Sequence, residues 1–133
     1  MTPMLALALA GLLAAAPDVE GTYRIETSKV LKVKRGETAH AKVEVVPRSD
    51  AHVSPEAPIS LALTSGPAVK LEKVKFGRPE AKETKAKGVE FDVPFTASAA
   101  GKDELKGTLS FFICTEKLCE KQKREIAMAV EVQ

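Results

Sequence analysis

Apolar and polar residues alternate with period two along most of this chain. In "TAHAKVEVV" (38–46), Ala39, Ala41, Val43 and Val45 alternate with Thr38, His40, Lys42 and Glu44. In "ISLAL", Ile59, Leu61 and Leu63 alternate with Ser60 and Ala62, and in "VEFDVPFTA", Phe91, Val93 and Phe95 alternate with Glu90, Asp92 and Pro94. "LSFFIC" places Leu109, Phe111 and Ile113 on one face and Ser110, Phe112 and Cys114 on the other. "IAMAVEV" sets Ile126, Met128, Val130 and Val132 against Ala127, Ala129 and Glu131. Side chains alternate across an extended backbone, so each run reads as a strand with one buried face.

Two weaker runs join them. "KVLKVK" (29–34) leads through Arg35, Gly36 and Glu37 into the strand at 38–46, which predicts a hairpin. "VKLEKVKF" (69–76) slips its alternation between Leu71 and Val74, as a bulge would cause. Prolines and glycines fall between the runs, and "RPEAKETKAKG" (78–88) is polar enough for an exposed loop. Pro94 within a strand predicts an edge or a bulge at that point. No stretch carries a helical stripe; the charged residues 115–125 allow at most a turn of helix. About seven short strands separated by turns predict an all-β protein, an antiparallel immunoglobulin-like β-sandwich spanning residues 17–133.

The first sixteen residues change the picture of where this sandwich works. "MTPMLALALAGLLAAA" holds no charge, and its unbroken apolar run from Met4 to Ala16 is shorter than the roughly 20 residues of a membrane span. Its length and the small residues Ala14 and Ala16 fit a signal peptide covering residues 1–16, although no Lys or Arg precedes it and Pro17 follows the expected cut. The expectation is export, to the periplasm or beyond, and no Cys follows the run to take a lipid anchor.

Charge adds an exclusion. The 20 basic and 18 acidic residues leave a net charge of only +2, and Lys is scattered without an aromatic platform, so nucleic acid is not an expected partner. The chemistry then narrows to two cysteines in "FFICTEKLCEKQK" (111–123). In an oxidising compartment Cys114 and Cys119 are expected to pair as a disulfide.

Three roles are open to the pair. A structural staple closing about six residues contributes roughly 2 kcal/mol by loop entropy, less than a bridge between distant strands would. A metal site needs further ligands, and the chain offers only His40, on the polar side of its strand, and His52, in a loop beside Pro55, both far off in sequence. Redox exchange is favoured by a short, reachable loop and by positive charge near a thiol. Here Lys117, Lys121, Lys123 and Arg124 are offset by Glu116, Glu120 and Glu125. If Leu109, Phe111 and Ile113 face inward, Cys114 points out of the core, within a partner's reach, with Phe112 beside it. No His close in sequence could serve as a base for hydrolysis.

Two segments carry a resemblance. "HVSPEAPISLAL" (52–63) and "LKGTLSFFICTEKLCEKQKREIAMAVEV" (105–132) resemble, in order and spacing, segments of the N-terminal periplasmic domain of thiol:disulfide interchange proteins of the DsbD type. The likeness runs from about residue 38 to the C-terminus. It implies an immunoglobulin-like fold and a pair, Cys114 and Cys119, that cycles between disulfide and dithiol with other periplasmic or membrane thiol-disulfide proteins as partners and no small-molecule cofactor. By position Cys119 matches the cysteine that forms mixed disulfides. The sequence departs from the family pattern in the loop, about a residue shorter, and after Cys119, where Glu120, Lys121 and Gln122 replace aromatic and proline residues. These 133 residues include no membrane electron carrier and no thioredoxin-like segment, so the expected relay uses separate partners. The alternative from a different class is a secreted structural or protein-binding module whose disulfide only clamps a hairpin.

Overall fold

A computed structural model describes residues 20–133; the expected signal peptide lies outside them. Eleven strands form two sheets. β1 is Tyr23–Thr27, β2 Leu31–Val33, β3 Thr38–Pro47, β4 His52–Val53, β5 Ser60–Thr64 and β6 Val69–Leu71. β7 is Lys75–Phe76, β8 Lys82–Glu83, β9 Val89–Ala97, β10 Gly101–Cys114 and β11 Cys119–Val132. One sheet has the order β1-β3-β9-β6, with β8 also on β9; the other has β2-β11-β10-β5-β7, with β4 also on β10. All pairings are antiparallel except the parallel contact of β2 with β11. The fold is the expected all-β, immunoglobulin-like sandwich.

The alternation of the sequence becomes the inner faces of the two sheets. From one sheet come Val43, Val45, Val89, Phe91, Val93 and Phe95; from the other come Leu61, Leu105, Leu109, Phe111, Ile113 and Met128, all fully buried. With no Trp, the large core volume rests on these three Phe residues and their aliphatic neighbours. Burying each such side chain contributes about 1.5–3 kcal/mol.

Several local expectations are corrected. Residues 29–34 and 38–46 do not form a hairpin: β2 leaves β3 and pairs with β11 in the opposite sheet. The slip between Leu71 and Val74 is not a bulge but a crossing between sheets, since β6 pairs with β9 and β7 with β5. The loop 78–88 holds a 3-10 turn at Arg78–Glu80 and the short β8. Residues 119–125 extend the last strand instead of turning helical, because each pairs with a residue of β10. Pro94 sits within the interior strand β9, at a point where β3 lies on one side while β6 pairs only with residues 95–97 and β8 only with 89–90. The strand edge that its missing N–H calls for is therefore local.

Candidate functional site

The long β10–β11 hairpin delivers both cysteines to one end of the sandwich. Its ladder runs from Gly101↔Val132 to Cys114↔Cys119. Beyond it the Thr115 N–H donates to the Leu118 carbonyl at 2.9 Å, leaving Glu116 and Lys117 at the tip. Cys114 and Cys119 thus face each other in the adjacent register position, with Cα atoms 4.0 Å apart, the close spacing of a pair that exchanges no backbone hydrogen bonds. They are joined in a disulfide.

The two sulfur-bearing residues differ sharply in access. Cys119 is exposed, on the strand that among the described residues has no neighbour beyond it at this end. Cys114 is only 2% exposed. It does point away from the core face of Ile113, as the alternation predicts, but it is not open to a partner. The reason is β4, which pairs with the end of β10 and makes Cys114 the middle position of three strands. The two-residue β4 carried no sequence signal of its own, because a strand that short has no alternation to display.

β4 also corrects the reading of His52. It is not a distant loop residue: Cys114 and His52 are partners in register, while Val53 pairs with Ile113 in the core. Residues directly opposite on antiparallel strands share a face, with Cβ atoms about 4.5–5.5 Å apart. The outer face therefore carries the row Cys119–Cys114–His52 across β11, β10 and β4. β4 is held in place from both sides: the Ser54 N–H donates to the Phe112 carbonyl, and the Val53 N–H to the Lys87 carbonyl, both at 2.9 Å. Lys87 has φ +62°, and Gly88 next to it lies so close to β3 that a Cβ there would meet the Val45 carbonyl oxygen at 1.9 Å. The Arg78 guanidinium ties the following loop by donating to the carbonyls of Ser54, at 3.0 Å, and Ala57.

His52 is half-buried and borders two open cavities, of about 320 and 220 Å3. Lys87 lines both; Arg78, Glu83 and Thr84 line the larger, Asp50, Thr115 and Glu116 the smaller. His40, by contrast, lies on the outer face of the other sheet, its Nδ1 3.0 Å from the Asp92 carboxylate, and is remote in register from the cysteines. Among the described residues no three of His, Cys, Asp and Glu are arranged to hold a metal ion.

The core-facing positions of β11 near Cys119 are polar. Gln122, opposite Phe111, is only 7% exposed; its Oε1 accepts from the Tyr23 hydroxyl and from Arg124 Nη2, both at 2.9 Å. Tyr23 packs edge-on against Phe111 with ring centroids 5.0 Å apart, and the Arg124 guanidinium lies over its ring. A satisfied buried amide costs little and fixes the register of this end of the hairpin.

No family model matches the chain, and no curated protein matches it in sequence. Solved structures share its fold. Trypsin-activated alpha-2-macroglobulin from Escherichia coli matches 82% of this chain at 13% identity with a TM-score of 0.51. Native alpha-2-macroglobulin of the same organism, from domain MG7 to the C-terminus, matches 83% at 13% identity with a TM-score of 0.50. This chain spans only 7% and 16% of those longer chains. At such identity the likeness concerns the fold alone.

Proposed function

We propose that the domain is an exported thiol:disulfide interchange module, passing reducing equivalents to or from protein partners through Cys114 and Cys119. The observation that carries this reading is the unequal access of the two residues, one exposed and one 2% exposed, at the tip of a hairpin. Exchange through a mixed disulfide needs one sulfur that a partner can reach and a second, held close, to release it.

In the oxidised domain a partner thiolate attacks Cys119 Sγ. A partner–Cys119 disulfide forms, the Cys114–Cys119 bond breaks, and its electron pair leaves on Cys114 Sγ, which takes up a proton. A second thiolate of the partner then releases Cys119, leaving the partner oxidised and the pair reduced. In the opposite direction Cys119 attacks a partner disulfide and Cys114 resolves the intermediate. No small-molecule cofactor enters. The partners are thiol-disulfide proteins of the periplasm or membrane, as in the DsbD-type family that the sequence resembles.

A Cys114→Ser variant, which keeps Cys119 and removes the resolving thiol, tests the reading. Expressed in a periplasm it accumulates covalent, reductant-sensitive complexes with other proteins, whereas Cys119→Ser accumulates far fewer. Absence of such complexes from both variants would sink the proposal. The burial of Cys114 also favours a second reading, a binding or structural module whose disulfide is a clamp; that reading expects no trapped partner from either variant.

A further inference from the structure

The exchange reading leaves one chemical problem open. When a partner attacks Cys119, the departing thiolate forms on Cys114, the residue that is 2% exposed. A buried thiolate that cannot be hydrated is costly unless it gains a proton or a cation. Cys119 is then tied to the partner and carries no charge. On the other side of Cys114, in register on the same face, stands His52.

We propose that His52 is the proton donor to Cys114 when the disulfide opens, and the base that takes that proton back when Cys114 resolves a mixed disulfide. The inference rests on the exchange reading for its biological use but not for its chemistry. The Cys114–Cys119 bond breaks, the pair of electrons stays on Cys114 Sγ, and the imidazolium N–H proton moves to that sulfur. His52 then regains a proton from water, which its half-exposed position in the lining of two open cavities makes accessible. An imidazole is the side chain suited to exchanging protons in both directions near neutral pH.

The placement is built, not incidental. β4 is two residues long, and its register is fixed by the Ser54–Phe112 and Val53–Lys87 backbone bonds and by Val53 in the core. A shift of one residue would exchange His52 for Val53 beside Cys114. The charged groups around His52 are mixed: Lys87 from the turn before β9, Arg78 and Glu83 across the larger cavity, Asp50 and Glu116 across the smaller. Lys121, in register with Phe112, shares the sheet face. None of them stands in register with Cys114.

The test uses the purified full chain and dithiothreitol as the reductant, followed by stopped flow from pH 5 to 9, with rates expressed per dithiothreitol thiolate. His52→Gln, a polar replacement at a half-exposed site, is compared with wild type, and the thermal midpoint of each oxidised protein reports folding. At pH 6 the variant is expected to be reduced about a hundredfold more slowly, at the low end of general-acid effects, and the two profiles converge by pH 9. In a Cys119→Ser background, where Cys114 is the one remaining thiol, His52→Gln is expected to move the appearance of thiolate absorbance to higher pH. Parallel rate profiles and an unmoved thiolate titration would overturn the role of His52. Because no protein partner takes part, that outcome leaves the relay reading to stand or fall on partner trapping. If His52→Gln does not fold, the thiolate titration of His52→Asn decides by the same criterion.

Discussion

Removing the disulfide should weaken the domain without unfolding it. The perturbation is the double variant Cys114→Ala/Cys119→Ala, or wild type in excess reductant. The bridge has a sequence separation of 5 and closes a loop of about six residues, so the loop-entropy relation gives about 2 kcal/mol. Opposed to that is a hairpin ladder continuous from Gly101↔Val132 to the cysteines and a core that reaches Ile113, next to Cys114. None of this depends on the bond. For about 110 folded residues the unfolding entropy is about 0.23 kcal/mol per kelvin, so 2 kcal/mol corresponds to a lowering of the melting midpoint by about 9 °C. Thermal unfolding followed by circular dichroism, with urea titration for the free energy, measures both. A loss of 4 kcal/mol or more, or unfolding on reduction at 25 °C, would refute the reasoning, because a pair that cycles through the dithiol needs a folded dithiol state. A change within 0.5 kcal/mol of zero would refute the entropic estimate itself.

Other outcomes follow from particular contacts. The Asp103 carboxylate accepts from the backbone N–H groups of Gly66 at 2.9 Å and Ala68 at 3.0 Å, so Asp103→Ala should cost about 2–3 kcal/mol in urea unfolding, with Asp103→Asn recovering part. Gly88→Ala forces a Cβ against Val45 and Pro47 and should cost about 1–3 kcal/mol, and hydrogen exchange at the Val53 amide should quicken as β4 loosens. Lys73 and the Gly77 N–H hold the Glu80 carboxyl below its ordinary value of 4.5. The stability Glu80 contributes is present above that value and is lost as pH falls through the depressed one. A carboxyl NMR titration should show the low value, and Lys73→Met should raise it.

The core was legible because burial on one face leaves an alternating trace, and the runs at 38–46, 89–97, 109–114 and 126–132 all lie within observed strands. What stayed hidden had no such trace. Residues 119–125 read as a charged turn because Glu120, Gln122 and Arg124 take the inward positions, where Tyr23 satisfies Gln122 instead of an apolar neighbour packing against it. β2 read as half of a hairpin because sequence proximity says nothing about which sheet a strand joins. At the site, the facing of Cys114 followed from Ile113 and Phe111, but its burial did not. Burial depends on β4, whose two residues are placed by backbone bonds to Phe112 and Lys87 and not by a pattern of their own. The approach of His52 was illegible for the same reason.

The reduction potential of the Cys114–Cys119 pair, measured on the purified chain against glutathione and dithiothreitol buffers, tests the central claim most directly. A domain that exchanges disulfides with protein partners should give a value clearly above about −300 mV, with the pair reducible by glutathione-range buffers. A value well below about −300 mV, with the bond resistant to glutathione, would contradict the account and leave the disulfide a clamp on its hairpin.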